Sequence, residues 1–161
     1  MESVLKLLIV DDETRFLKTI ARRLRLRGLD VSTASNGPDA IALARGREFD
    51  VALLDLKMPG MDGSQVHRAL KEVDPLIETI ILTGHGSLRG AVELSRLGAF
   101  GYLPKPYELD KLLDALAHAF AQRLRNMHAG QPEIVERIDG LGQVEDPLER
   151  LRQLATLDGG R

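Results

Sequence analysis

The chain has 161 residues, a formal net charge of −2, and 43% hydrophobic against 29% charged residues, proportions that exclude both an intrinsically disordered chain and a membrane-embedded one. It has no cysteine, which excludes disulfide frameworks and thiol catalysis. Only His and carboxylate groups are left as metal ligands, a set suited to a hard, oxygen-ligated cation.

The first apolar run, Val4–Val10, is interrupted by Lys6 and ends in Asp11 and Asp12. It reads as a buried strand, too short and too charged for a signal or spanning segment, so the expected location is cytoplasmic. Phe16, Leu17, Ile20 and Leu24 then fall on one face of a helix, with Arg15, Lys18, Arg22 and Arg25 elsewhere and Gly28 as a stop. Leu29–Thr33 is a weaker strand candidate, and Pro38 suits the first turn of a helix carrying Ile41 and Ala44. Val51–Leu54 is a second buried run, and Gly63 precedes a Val66/Ala69/Leu70 helix. Ile77–Leu82 reads as a fourth strand, Leu88/Ala91/Val92 as a helix, and Phe100–Leu103 as a fifth strand. After Pro106, Leu109, Leu112, Leu113, Leu116 and Phe120 predict a long helix packed on the sheet.

Five strands alternating with helices predict a doubly wound α/β domain, because parallel strands need crossover helices, which cover both faces of the sheet. In such folds the working site lies beyond the carboxyl ends of the strands. There the sequence places Asp11 and Asp12, Asp55, Thr83-Gly84 and Lys105-Pro106. Three converging carboxylates repel one another, and a divalent cation neutralises them; magnesium, or manganese in its place, suits such a site and leaves room for phosphate oxygens. Asp55 is then placed to attack a phosphorus atom and become an aspartyl phosphate, with Lys105 and Thr83 as partners for the phosphoryl oxygens.

Four motifs, Val10-Asp11-Asp12-Glu13, Leu53 to Gly63 (LLDLKMPGMDG), Leu82-Thr83-Gly84-His85-Gly86 and Tyr102-Leu103-Pro104-Lys105-Pro106, together resemble the receiver domain of bacterial two-component response regulators over roughly residues 4–126. The resemblance implies a flavodoxin-like sheet of order 2-1-3-4-5 and phosphorylation of Asp55 by a sensor histidine kinase or phosphotransfer protein. It implies magnesium ligation by Asp12, Asp55 and the Lys57 backbone carbonyl, with Asp11 acting through water. It also implies phosphoryl binding by Thr83 and Lys105, a cis peptide between Lys105 and Pro106, and Tyr102 as a rotating switch aromatic beside Thr83. Such a protein is a signalling switch that assists its own phosphorylation and dephosphorylation, not an enzyme. Its downstream partner would meet the face built from the Leu88/Ala91/Val92 helix, the fifth strand and the helix after Pro106; a homodimer through that face is a further expectation.

Other readings are weaker. Asp11-Asp12 alone would suit a helix cap, and Gly84, Gly86 and Gly90 suggest a nucleotide loop but have the wrong spacing. Arg22, Arg23, Arg25 and Arg27 read as a solvated face or a protein contact, not a nucleic-acid site. A magnesium-dependent phosphohydrolase would need a substrate lid, and no insertion supplies one. A scaffold with a vestigial acidic site is opposed by the intact constellation. The expected organisation is a receiver domain over 1–126 and a tail over 127–161, acidic (4 basic, 7 acidic residues) and punctuated by Gly130, Pro132, Gly140, Gly142 and Pro147. Glu133–Ile138 and Leu148–Leu157 are short helical candidates that either dock or fray. No phosphate loop or helix-turn-helix is evident in the tail, so the chain reads as a regulator working by protein contact, or as an excerpt of something larger.

Overall fold

The computed structural model describes residues 4–84, 92, 95, 96, 98–105 and 107–158, the side chain of Thr83 aside. Leu88, Ala91 and most of the helix predicted around them lie outside the described residues, as do His85, Gly86 and Gly90. Five parallel strands, β1 (Lys6–Val10), β2 (Asp30–Ala34), β3 (Val51–Asp55), β4 (Glu78–Thr83) and β5 (Gly101–Pro104), form one sheet of order β2-β1-β3-β4-β5. The described helices are α1 (Thr14–Arg25), α2 (Gly37–Gly46), α3 (Gly63–Val73), α4 (Leu109–Met127), α5 (Pro132–Gly140) and α6 (Pro147–Leu157). None of them is long and apolar enough to cross a membrane.

Side-chain alternation along the strands divides the core in two. Leu7 and Ile9 of β1, Val51 and Leu53 of β3, and Ile80 and Leu82 of β4 pack with α1 and α4. Their neighbours Leu8, Val10, Ala52, Leu54 and Ile81 join Ala40 of α2 with Val66 and Leu70 of α3 on the opposite face. Because both faces are covered, the central strands carry no polar alternation: all five residues of β3 are buried, as in a sheet layered by helices on each side. Local chemistry sets the helix starts. Asn36 caps α2 by accepting the Asp39 N–H at 2.9 Å, and Pro38 occupies the first turn. Asp62 and Gln65 form a reciprocal capping box on α3.

At the foot of the sheet, opposite the carboxyl ends of the strands, Arg123 of α4 is buried and bonds three carboxylates: Asp50 at 3.1 Å, Asp74 at 2.9 Å and Glu48 at 2.6 Å. Asp50 is fully buried and also accepts the Lys6 N–H at 2.9 Å. These contacts tie α4 to the loops that enter β3 and β4.

Beyond α4 the chain turns back. Ile138 of α5 and Leu151 and Leu154 of α6 are buried and join the core on the α1/α4 face, each burial contributing about 1.5–3 kcal/mol. Arg150 fastens the arrangement: it donates to Asp114 of α4 at 2.8 Å and to the Val144 carbonyl at 2.7 and 3.0 Å.

Candidate functional site

Strand register builds the site. Val10 of β1 lies beside Leu54 of β3, so the next residues, Asp11 and Asp55, emerge side by side at the point where the strand order reverses. Carboxylate oxygens of Asp11, Asp12 and Asp55 all lie within 4.8 Å of one another. Asp11 and Asp55 are buried and Asp12 is exposed, which leaves one open side on the cluster. Neither Asp11 nor Asp12 is the capping residue of α1; that position is Glu13, which makes no side-chain cap bond. Asp11 instead accepts the Glu13 N–H at 3.0 Å and the Lys105 ammonium at 2.7 Å.

Lys105 follows the edge strand β5 and reaches back toward β1. Its Nζ is 3.9 Å from Asp55 and 3.7 Å from Glu13. Burial acts to lower the ammonium pKa, but the hydrogen bond and charge of Asp11, with Asp55 and Glu13 behind it, outweigh that and leave it above the ordinary value. Asp55 is the perturbed acid. Burial first, then the charges of Asp11 and Asp12, push it up to about 6, against the pull of Lys105 and of the Lys57 N–H that donates to it. A carboxylate so destabilised gains most from a cation placed among the three acids. The donor set, all oxygen and partly open, fits a magnesium-like ion that keeps waters.

Thr83 ends β4, in register with Pro104 of β5, so its backbone borders the crevice; its side chain lies outside the described residues. Pro106, and with it the peptide expected to be cis, also lies outside them. Tyr102 stands on β5, 46% exposed at the sheet edge.

Several neighbours escaped the sequence reading. The Lys105 ammonium sits 4.7 Å from the Phe16 ring centroid, and Tyr107 meets the same ring edge to face at 6.1 Å. The Tyr107 hydroxyl is buried without a hydrogen-bond partner among the described residues, and burial, with Asp11 adding to it, drives its pKa up, so it stays a donor. Phe16, Thr19, Ile20, Arg23, Lys105 and Tyr107 line a hollow of about 460 Å³ beside the crevice. In the sequence Phe16 is legible only as one apolar position of α1, and no local signal marks Tyr107. Two glycines shape the rim. Gly60 turns the chain with φ +80, and a Cβ on Gly63 would lie 2.7 Å from the Asp55 carbonyl oxygen, so α3 can start against the acceptor strand only with glycine there.

Residues 7–117, carrying every one of these strand-end groups, match the response regulator receiver domain. The chain belongs to the response regulator receiver domain family. Among its relatives is the DNA-binding transcriptional regulator NtrC of Salmonella typhimurium, 34% identical over 129 residues that cover 77% of this chain and 28% of NtrC. A response regulator receiver domain protein from Clostridium thermocellum superposes with a TM-score of 0.71 at 35% identity, covering 74% of this chain and 96% of that one. NtrX from Brucella abortus, solved in complex with ATP, superposes at 0.75 with 26% identity over 79% of this chain and 29% of its own. The chain thus spans about a quarter of the length of the curated relatives it matches. As a receiver domain it is a signalling switch of two-component systems, a family in which an aspartate is phosphorylated.

Proposed function

We propose that Asp55 is the phosphoacceptor of this receiver, taking a phosphoryl group from a histidine kinase or phosphotransfer protein. The observation that carries the reading is the buried Asp11–Asp55 pair, with Asp12 at its open side and Lys105 bonded across it. An Asp55 oxygen attacks phosphorus in line while the bond to the donor imidazole nitrogen breaks, and that nitrogen keeps the electron pair. Asp11, Asp12, Asp55 and the Lys57 backbone carbonyl would hold a magnesium or manganese ion, whose charge supports the crowded acids and the incoming phosphoryl oxygens. Lys105, already 3.9 Å from Asp55, exchanges its bond to Asp11 for one to the phosphoryl group, and Thr83 supplies a hydroxyl donor. The new charge of about −1.5 to −2 draws the end of β4 inward and lets Tyr102 turn from its exposed position. The altered face around Tyr102 then changes its affinity for a protein partner or a second copy, a population shift between two packings.

The test is mass gain with acetyl phosphate in the presence of magnesium, comparing wild type with Asp55→Ala. One phosphate is expected on the wild type and none on the variant. An equal gain on both, or none on either across donor concentrations, overturns the reading.

A further inference from the structure

Helix α4 buries more of its circumference than the sheet requires. On α1 the buried residues are Leu17, Ile20, Ala21 and Leu24, an arc of about 100°, as expected for a helix with one partner. On α4 both Ala119 and Ala121 are buried, together with Leu112, Leu113, Leu116, Ala117, Phe120 and Leu124. Two residues apart means about 200° around the axis. One half of that arc faces the sheet, and the other half is covered by the helices that follow it in the same chain. We propose that this second apolar face of α4 is an interaction surface for an amphipathic helix, held in cis by residues 132–157 and vacated when Asp55 is phosphorylated; the second half of the statement rests on the reading of Asp55 given above.

Three observations connect the cover to the site. The start of α6 and the start of α4 share one open groove of about 840 Å³ with β5: Leu103, Lys111 and Asp114 line it opposite Glu145, Asp146 and Pro147. Leu103 lies two residues before Lys105, the group whose bond to Asp11 must yield when a phosphoryl group arrives, so a shift of β5 reaches the groove directly. The polar fastening rests on two arginines, of which Arg125, partly exposed, donates to Asp139 of α5 at 2.6 Å. Arg150, 9% exposed, joins the Asp114 side chain to the Val144 carbonyl, while the apolar contribution of α6 is concentrated in Leu151 and Leu154. A cover held by two arginines and three buried apolar residues, Ile138, Leu151 and Leu154, is a smaller cooperative unit than the five-stranded sheet beneath it. The partner it competes with carries the chemistry of α6 itself: apolar residues at three-residue spacing and a cation for Asp114.

The experiment uses the full chain with magnesium and beryllofluoride as the phosphoryl stand-in, with hydrogen exchange of residues 148–157 and binding of a fluorescent peptide of residues 144–158 as readouts. Fluorine NMR reports loading at Asp55. Loading is expected to speed exchange in 148–157 at least tenfold, leave β1 and β3 protected, and tighten peptide binding at least tenfold; Arg150→Ala is expected to show both effects unloaded. Loading with unchanged exchange and peptide affinity overturns the inference and leaves the Asp55 reading standing. An Arg150→Ala chain whose tail remains as protected as wild type also overturns it. Absence of beryllofluoride at Asp55 removes the Asp55 reading and the inference together.

Discussion

Replacing Asp55 by Asn removes a charge that the folded chain holds at a cost. The carboxyl sits at about 6 against an ordinary 3.8, and at about 1.4 kcal/mol per pH unit the ionised folded state is less stable by about 3 kcal/mol. The direction follows from linkage. A raised pKa means that the folded state keeps a proton that the unfolded chain releases, so stability falls as pH rises from about 4 through about 6 and stays low above it. Asp55→Asn, of the same size and unable to ionise, is therefore expected to be more stable than wild type by about 3 kcal/mol at pH 8 and by roughly half of that at pH 5. Urea unfolding in the presence of a chelator, followed by circular dichroism at the two pH values, measures both gains. Saturating magnesium should stabilise wild type, by about 2.7 kcal/mol at a hundred times its dissociation constant, and leave the variant nearly unmoved. A gain equal at pH 5 and pH 8, or no gain at either, would refute the electrostatic reasoning.

Arg123→Met leaves Asp50 buried without its cation and should cost about 3–5 kcal/mol, read as a lower urea midpoint with an unchanged slope. Gly63→Ala forces a Cβ to within 2.7 Å of the Asp55 carbonyl oxygen and should cost about 1–3 kcal/mol; magnesium affinity by calorimetry should fall with it, because the backbone carrying Asp55 must move. Lys105→Met withdraws the cation that, among the described residues, lowers the Asp55 pKa, so carbon NMR of the metal-free variant should place that carboxyl above about 6.

Much of this was legible in the chain because the relevant signals are local. Short apolar runs at Val4–Val10 and Val51–Leu54 announce buried strands, and once parallel strands are assumed, the residues after them must converge. The ends of elements moved by a residue: β4 runs from Glu78 to Thr83 where Ile77–Leu82 was expected, and β5 from Gly101 to Pro104 where Phe100–Leu103 was expected, because pairing with a neighbouring strand, not hydrophobicity, fixes where a strand stops. What could not be read depends on closure of the fold. Asp50 and Arg123, 73 residues apart, look like two ordinary surface charges until α4 is laid against the foot of the sheet. Phe16 under the Lys105 ammonium is likewise invisible to periodicity, which assigns the side chain to an apolar stripe without saying what lies above it. The leucines of α6 show a stripe in the sequence, but their partner is a second face of α4, and a helix buried on two sides reads the same as a helix with one generous apolar face.

Two of the molecule's charge systems respond differently to dissolved ions. Helix α1 displays Arg15, Lys18, Arg22, Arg23 and Arg25 to water with no acid between Thr14 and Arg27, so whatever it attracts is attracted across solvent, where the screening length is about 8 Å at physiological ionic strength. In the Arg123 cluster the guanidinium and Asp50 are buried and only Glu48 and Asp74 reach solvent at the rim, so salt screens the buried pair far less. Added salt is therefore a dial for encounter and not for integrity: it should slow the arrival of an acidic partner at α1 by orders of magnitude before it loosens the fold at all, and a salt titration of phosphotransfer rates reads the first without disturbing the second.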